Sequence, residues 1–282
     1  MDNMNSQELP HGVIVAATPL GNIGDASDRL KQALAHADII AAEDTRRVRN
    51  LAQALGVTIR GQVVSNFDHN EDSRAQQLID AARHSTVLIV SDAGMPLVSD
   101  PGHSLVVAAA VAGVHVTCFP GPSAVPTALA LSGLGVGRFI FDGFAPRKQG
   151  QRRSWLESLK NEERAVVFFE SPHRLAATLA DASAVLGPRR LAAVCRELTK
   201  TYEEIRRGTL QELAEWAVDN ARGEITVVLD GAQEKEFDLP ELLTEVDKLV
   251  ASGMRLKDAC KQAAHGTGIP NRELYQAKLQ QD

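Results

Sequence analysis

The chain has 282 residues, 36 acidic and 30 basic side chains, and a formal net charge of −6. That length suggests about two domains, and a composition of 44% apolar and 23% charged residues excludes a mainly disordered chain. The acidic balance also argues against coating nucleic acid or membrane through bulk charge, while leaving room for a local basic patch.

The longest apolar runs, such as Ser104–Val116, are about half of what spans a bilayer, so no membrane association is expected. Met1–Pro10 is polar and does not read as a leader, and a cytoplasmic location is expected. The three cysteines (Cys118, Cys195, Cys260) lie far apart and read as reduced thiols filling the core. No Cys-x-x-Cys or His-x-x-x-His spacing occurs, so no metal site is expected.

In the first half, short apolar strands alternate with helices. Strands are predicted at Val13–Ala17, Asp38–Ala42, Gln62–Ser65, Thr86–Ser91 and Val114–Phe119. Helices are predicted at Ala26–Ala37, Thr45–Leu55, Asp72–His84 and Ser104–Ala112. Apolar strands between amphipathic helices mean a mostly parallel sheet covered on both faces.

Pro120-Gly121-Pro122 breaks the pattern, and the stretch Pro120–Pro126 reads as a hinge. Beyond it, helices are predicted at Ala124–Leu131, Gln151–Lys160, Leu175–Leu186 and Leu210–Asn220. Strands are predicted at Arg138–Phe141, Arg164–Phe169, Arg190–Arg196, Tyr202–Arg207 and Glu224–Leu229. This second α/β series implies some antiparallel pairing. Glu234–Asp247 holds six acids and one base, a linker with a helix start at Pro240. Three short helices follow at Leu242–Ala251, Leu256–Ala264 and Asn271–Leu279, with a Gly266–Pro270 turn, as in a helix-turn-helix. The expected fold is therefore α/β, in three parts: 1–122, 123–235, and a small helical appendage at 236–282.

Ligands of open parallel sheets bind at the carboxyl ends of the strands. Here those ends carry Thr18-Pro-Leu-Gly-Asn-Ile-Gly-Asp25, Glu43-Asp-Thr-Arg46, Asn66-Phe-Asp-His-Asn-Glu71, Ser91-Asp-Ala-Gly-Met-Pro96 and Pro120-Gly-Pro-Ser-Ala124. One such cluster is ordinary turn chemistry. Five on one edge describe a crevice of backbone amides and carboxylates suited to an adenosine-like ligand. There is no P-loop, and Gly21 and Gly24 do not complete Gly-x-Gly-x-x-Gly. Glu43 stands where a Rossmann protein holds its ribose, which keeps a nicotinamide reading open. Gly133-Leu-Gly-Val-Gly137 follows a helical stretch rather than a strand, and reads as a helix stop.

In order and spacing, these loops and others further on resemble the tetrapyrrole-methylase-like (class III) S-adenosylmethionine-dependent methyltransferases, and within them the enzymes that methylate ribose in ribosomal RNA. The later motifs are Asp100-Pro-Gly102, Gly143-Phe-Ala-Pro-Arg-Lys148, Phe169-Glu-Ser-Pro-His-Arg174, Arg196-Glu-Leu-Thr-Lys-Thr201 and Gly223-Glu224. The resemblance covers about residues 13–231 and implies two α/β domains, a cofactor cleft between them and a homodimer. It implies methyl transfer from S-adenosylmethionine to the ribose 2′-hydroxyl of a cytidine, cytidine 1402, in 16S ribosomal RNA, met free or in the small ribosomal subunit. Carried over by position, the cofactor-binding residues are Leu20, Asn22, Asp92, Gly94, Met95, Ser123, Ala124, Glu170, Leu198 and Thr226.

A ribose hydroxyl is a weak nucleophile and gains from a general base. Glu43, Asp44, Asp68, His69, Asp100 and Glu170 are candidates on the crevice edge, and Glu43 and Asp100 are favoured by their place beside the expected methyl site. Several of these have plainer readings. Asp44 caps a helix, Asp100 makes a turn before Pro101, and His173 and Arg174 open a helix. RNA contact needs cations. Arg147, Lys148, Arg152 and Arg153 form one basic run, Arg46, Arg47 and Arg49 a second, Arg206 and Arg207 a third, and Lys200 lies on a motif. Arg46 and Lys200 are placed to hold a phosphate or to lower the hydroxyl's effective pKa. A same-fold methyltransferase of tetrapyrroles and a non-catalytic RNA-binding module that uses the tail are the other readings.

Overall fold

A computed structural model describes residues 8–66, 71–135, 137–232, 239–265 and 269–280. The chain forms two compact units, Met1–Asp230 and Gly231–Asp282.

The larger unit holds two sheets. The first contains β1 (Gly12–Ala16), β2 (Ile39–Ala42), β3 (Gln62–Ser65), β4 (Thr86–Val90) and β5 (Val116–Phe119), in the order β3-β2-β4-β1-β5. All neighbours are parallel, as the uninterrupted apolar strands demand. Alternation sorts the side chains. Ile14, Ala16, Leu88 and Val90 meet Leu30 and Leu34 of α1 (Asp28–His36) and Val48 of α2 (Thr45–Ala54). Val13, Val15, Val87 and Ile89 meet Ile79 of α3 (Glu71–Ala82) and Leu105 of α4 (His103–Val111). Helices on both faces leave β1 and β4 buried throughout.

After α5 (Ala124–Ser132), the second sheet contains β6 (Phe139–Phe144), β7 (Ala165–Glu170), β8 (Leu191–Arg196), β9 (Glu204–Thr209) and β10 (Ile225–Leu229). Its order is β6-β7-β10-β8-β9, with only β6 and β7 parallel among these pairs. One face packs on α6 (Gln149–Ser158), α7 (Pro172–Leu186) and α8 (Leu210–Asn220). The other receives Val125 and Ala128 of α5. Gly133 ends α5 in the left-handed conformation, φ 71°, so the glycine-rich Gly133–Gly137 run begins as a helix stop. The smaller unit packs α9 (Leu239–Ala251), α10 (Leu256–Ala264) and α11 (Asn271–Leu279) around Leu243, Val246, Cys260 and Leu274. Lys278 pairs with Asp247 at 2.8 Å. Among the described residues, no helix is long and apolar enough to cross a membrane.

Some sequence expectations need correction. Cys118 is exposed on the edge strand β5, whereas Cys195 and Cys260 are buried. Tyr202 lies 75% exposed in a turn ahead of β9. Helix α7 begins three residues earlier than its apolar periodicity suggests, because Pro172 at its first position favours helical φ and Ser171 precedes it. The run Arg147–Arg153 is not one exposed loop. Arg152 and Arg153 lie on α6, and the Arg152 side chain is 6% exposed. Its guanidinium reaches Asp181 Oδ2 of α7 at 2.6 Å, while Arg153 reaches Oδ1 at 2.8 Å and the Gln149 amide donates to Oδ1 at 3.1 Å. A carboxylate in the core must be paired, so α6 supplies its cations inward. Arg152 is thereby removed from the RNA-facing set, and Arg153 is half-committed.

Burial pushes the Asp181 carboxyl up, but the hydrogen bonds from Arg153, Arg152 and Gln149 outweigh it and hold it below the ordinary aspartate range. Its stabilisation is therefore present above the unfolded aspartate pKa and is lost as pH falls through the folded one. Asp181→Ala leaves the Arg152 charge buried and unpaired, and is expected to cost about 3–5 kcal/mol in urea unfolding at neutral pH. The gap from wild type should narrow on acidification.

Candidate active site

Because every strand of the first sheet runs the same way, the loops after β1, β2, β4 and β5 emerge at one edge. Two of them are tied together. Thr18 N–H donates to Gly94 O at 2.9 Å and Gly94 N–H to Thr18 O at 3.1 Å. The Thr18 hydroxyl adds a bond to Ser91 O at 3.2 Å. Gly94 sits at φ +85°, and a Cβ there would stand 3.0 Å from Leu20 Cδ2. Only glycine accepts both conditions without strain.

The loops after β2 and β4 share carboxylates and amides. Asp92 N–H donates to Glu43 Oε2 and Asp44 N–H donates to Asp92 Oδ1, both at 3.2 Å. Arg47 Nη1 stands 3.3 Å from Asp92 Oδ2. Asp44 caps α2 through the Arg46 N–H at 2.8 Å. Hydrogen bonds from the Arg46 side chain and backbone lower its pKa to about 2. Burial pushes the Asp92 carboxyl up, against the pull of Arg47 and the Asp44 amide.

The second sheet closes the other side. Glu170, at the end of β7, has both oxygens occupied. Oε1 accepts from Ser171 N–H at 2.6 Å and pairs with Arg174 at 2.5 Å, and Oε2 accepts from the Thr178 hydroxyl at 2.6 Å. Phe169 is edge-on to Phe141 and Phe144. Leu198 lies between Glu197 and Thr199, both left-handed at φ 51° and 66°. Left-handed non-glycine residues cost free energy and cluster at functional sites. Here Glu197 Oε1 accepts from Glu224 N–H at 2.9 Å and from Lys200 Nζ at 3.0 Å. Lys200 also reaches Glu224 at 3.1 Å, and its methylenes fill the space beside Gly21, where a Cβ would collide at 2.1 Å. The backbone bond to Glu224 leads the forces that hold the Glu197 carboxyl below its usual range, and its two ion pairs keep Lys200 charged despite partial burial.

Between these walls lies a cavity of about 410 Å³. Of the sequence-predicted residues, Leu20, Glu43, Asp92, Gly94, Met95, Asp100, Ser123, Ala124, Glu170, Leu198 and Thr226 line it. Asn22 does not: its side chain accepts from Gly24 N–H, and its own N–H donates to Thr199 Oγ1 at 3.1 Å. Arg46 and Lys200 lie outside the lining, bound to carboxylates. Arg147 and Lys148 are exposed ahead of α6. Asp68 and His69 fall outside the described residues. Among the lining residues that sequence reasoning missed are Arg47, Val98, Phe144, Phe169, Gly223 and Glu224. The signal was in hand for most of them, since they stand inside the motifs or one position from a chosen residue.

A family model of the Tetrapyrrole (Corrin/Porphyrin) Methylases matches residues 12–214. The chain belongs to that family. The "Ribosomal RNA small subunit methyltransferase I" of Mycobacterium tuberculosis (strain ATCC 25618 / H37Rv) is 56% identical over 95% of this chain and 94% of its own. The protein of the same name from Escherichia coli O157:H7 is 38% identical over 95% and 94%. Among solved structures, the methyltransferase CobJ superposes with a TM-score of 0.58 at 20% identity, covering 80% of this chain and 97% of that one. A uroporphyrin-III C-methyltransferase from Thermus thermophilus, complexed with S-adenosyl homocysteine, gives 0.54 at 20% identity over 77% and 96%. At that identity these tetrapyrrole methylase structures bear out the fold, two α/β sheets with their helices.

The raised Asp92 pKa sets a pH expectation for this family member. A carboxyl that ionises less readily folded than unfolded costs stability above its folded pKa, and that cost fades as acid protonates it. Asp92→Asn should therefore match or exceed the wild-type melting temperature at neutral pH, with the advantage shrinking as pH falls. Thermal unfolding across that range is the check. A neutral-pH loss would mean that the Arg47 pair outweighs the burial.

Proposed function

We propose that this methyltransferase modifies the ribose 2′-hydroxyl of a cytidine, cytidine 1402, in 16S ribosomal RNA. The observation that carries the ribosomal reading is near-full-length similarity to relatives named as small-subunit ribosomal RNA methyltransferases, 38–56% identical in the two cases above. The substrate is the RNA itself or the small subunit that contains it. A homodimer would cover Val107 and Val111 of α4, which are 46% and 85% exposed.

S-adenosylmethionine is the methyl donor, and the cavity's chemistry fits it. Apolar walls (Leu20, Val98, Phe144, Phe169, Leu198, Ile225) suit an adenine, and Asp92 and Glu224 offer acceptors for ribose hydroxyls and the amino group. Bound there, it supplies a methyl group already activated by a sulfonium sulfur. The protein's task is then to position the acceptor oxygen and take its proton. Asp100 and Glu43 are the carboxylates proposed for that role. Asp100 follows Ser99, which is left-handed at φ 68°, so its loop is held in an unusual conformation beside the cavity. Glu43 is anchored through the Asp92 amide. One of the two would accept the hydroxyl proton as the oxygen–methyl bond forms, the methyl–sulfur bond breaking with its electron pair left on sulfur.

Asp100→Asn and Glu43→Gln should each be assayed for kcat and for S-adenosylmethionine affinity by calorimetry. Loss of the base should cut kcat by about 10²-fold or more while affinity changes little. Wild-type kcat in both variants would refute the assignment. Mass-spectrometric mapping of the product tests the acceptor: a base-methylated or tetrapyrrole product would replace the ribose reading. Arg147 and Lys148 are proposed to contact RNA. Replacing both by Ala should weaken RNA binding and flatten its salt dependence by about two units of log–log slope, roughly one per lost phosphate contact, measured by filter binding.

A further inference from the structure

The charged residues that line the cavity are unevenly matched. Glu43, Asp92, Asp100, Glu170 and Glu224 bring carboxylates, and among the described lining residues Arg47 is the one cation. Such a lining favours a cationic donor. It is a poor host for an anion, because carboxylates repel it and a low-dielectric wall does not hydrate it.

The proposed acceptor cannot avoid bringing an anion. The 2′ and 3′ oxygens of ribose sit on adjacent carbons, and in RNA the 3′ oxygen carries a phosphodiester. Placing the 2′-oxygen beside a methyl donor in this cavity therefore places a phosphate at its mouth. Some cation has to meet that charge. Lys200 is held by Glu197 and Glu224, at 3.0 and 3.1 Å. Arg174 is held by Glu170 at 2.5 Å and by Ala145 O at 3.2 Å. Arg46 makes two contacts with its neighbour Asp44, at 3.1 and 3.3 Å. Arg47 differs from all three in lining the cavity itself and in standing 3.3 Å from Asp92 through a single guanidinium nitrogen, with its side chain 64% exposed. Arg46 is more exposed still, at 85%, but lies outside the lining. A guanidinium has five N–H donors in a fork that matches two phosphate oxygens, so most of its capacity faces outward from that one pair.

We propose that Arg47 binds the phosphodiester on the 3′ side of the nucleotide being methylated, and so positions the acceptor hydroxyl. This rests on the ribose reading above. It makes the site select a polynucleotide over a free nucleoside.

The test uses small ribosomal subunits reconstituted with 16S RNA whose 3′ linkage at the target cytidine is either the native phosphodiester or an uncharged methylphosphonate. Wild type, Arg47→Ala and Arg47→Lys are compared on both. A hydrogen-bonded charge pair is worth about 10-fold or more, so the neutral linkage should reduce wild-type kcat/KM by that factor. Arg47→Ala on native RNA should fall equally far and lose little more on the neutral linkage, and Arg47→Lys should recover part of the loss. S-adenosyl homocysteine affinity, measured by calorimetry, should be unchanged in Arg47→Ala. The proposal is overturned if the two losses multiply, if Arg47→Ala behaves as wild type, or if the donor-analogue affinity falls as far as kcat/KM. Product mapping in the wild type keeps the two ideas apart. A methyl group on a base refutes the ribose reading, whereas a mapped 2′-O-methyl with multiplying losses refutes the role of Arg47 alone.

Discussion

The paired backbone hydrogen bonds between Thr18 and Gly94 join two loops that leave neighbouring parallel strands in the same direction. Parallel strands deliver their loops to one edge but do nothing to hold those loops against each other. The Thr18–Gly94 bridge does so, and its geometry requires a glycine whose φ is positive and whose missing side chain leaves room for Leu20. The second sheet attaches to the same edge by a different device. Lys200 lies over Gly21 and binds Glu197 and Glu224, while Asn22 N–H reaches Thr199. Two glycines in the first sheet's loops thus decide how closely each wall of the cavity approaches.

Collecting carboxylates in that cavity costs stability, and the structure offsets the cost with neutral donors as well as with cations. Glu43 and Asp92 each take a backbone amide from the neighbouring loop. Glu170 takes an amide, a hydroxyl and one arginine, and its side chain is fully buried. Amides fix a carboxylate in place without cancelling its charge, so the cavity stays acidic toward a ligand. An acidic wall favours binding of a cationic donor; because that positive charge is lost as the methyl group leaves sulfur, the wall contributes to affinity rather than to lowering the barrier.

The fold was legible because period and punctuation agree along the chain. Uninterrupted apolar strands signalled a parallel sheet, and Gln62–Ser65, Leu210–Asn220, Leu256–Ala264 and Asn271–Leu279 match the structure end to end. The cavity was legible as a set of loops for the same reason. What sequence could not supply is which member of a loop turns inward. Arg46 and Arg47 are adjacent and chemically identical, yet one folds back on Asp44 and the other reaches Asp92. Asn22 looked like a ligand-facing amide, but it closes a short turn onto Gly24. In both cases the choice is made by a partner brought in from another strand or by local capping.

The basic run at Arg147–Arg153 went wrong in a more instructive way. Gln149, Arg152, Arg153 and Leu156 follow the spacing of one helical face, and Leu156 is fully buried. Three of the four converge on Asp181, a carboxylate on α7 that no local pattern near α6 announces. Read as charge alone, the run is a patch; read as a helix, it buries Arg152 and draws the half-exposed Arg153 back to Asp181. The same distinction bears on the net charge of −6. Asp181 and Arg152 cancel in that total and cancel again below the surface, so Arg152 is counted among the bases but adds hardly anything to the external field. The field that an RNA meets is set by groups such as Arg147, Lys148 and Arg47 against the carboxylates of the cavity mouth, and a sum over the sequence weights all of them alike.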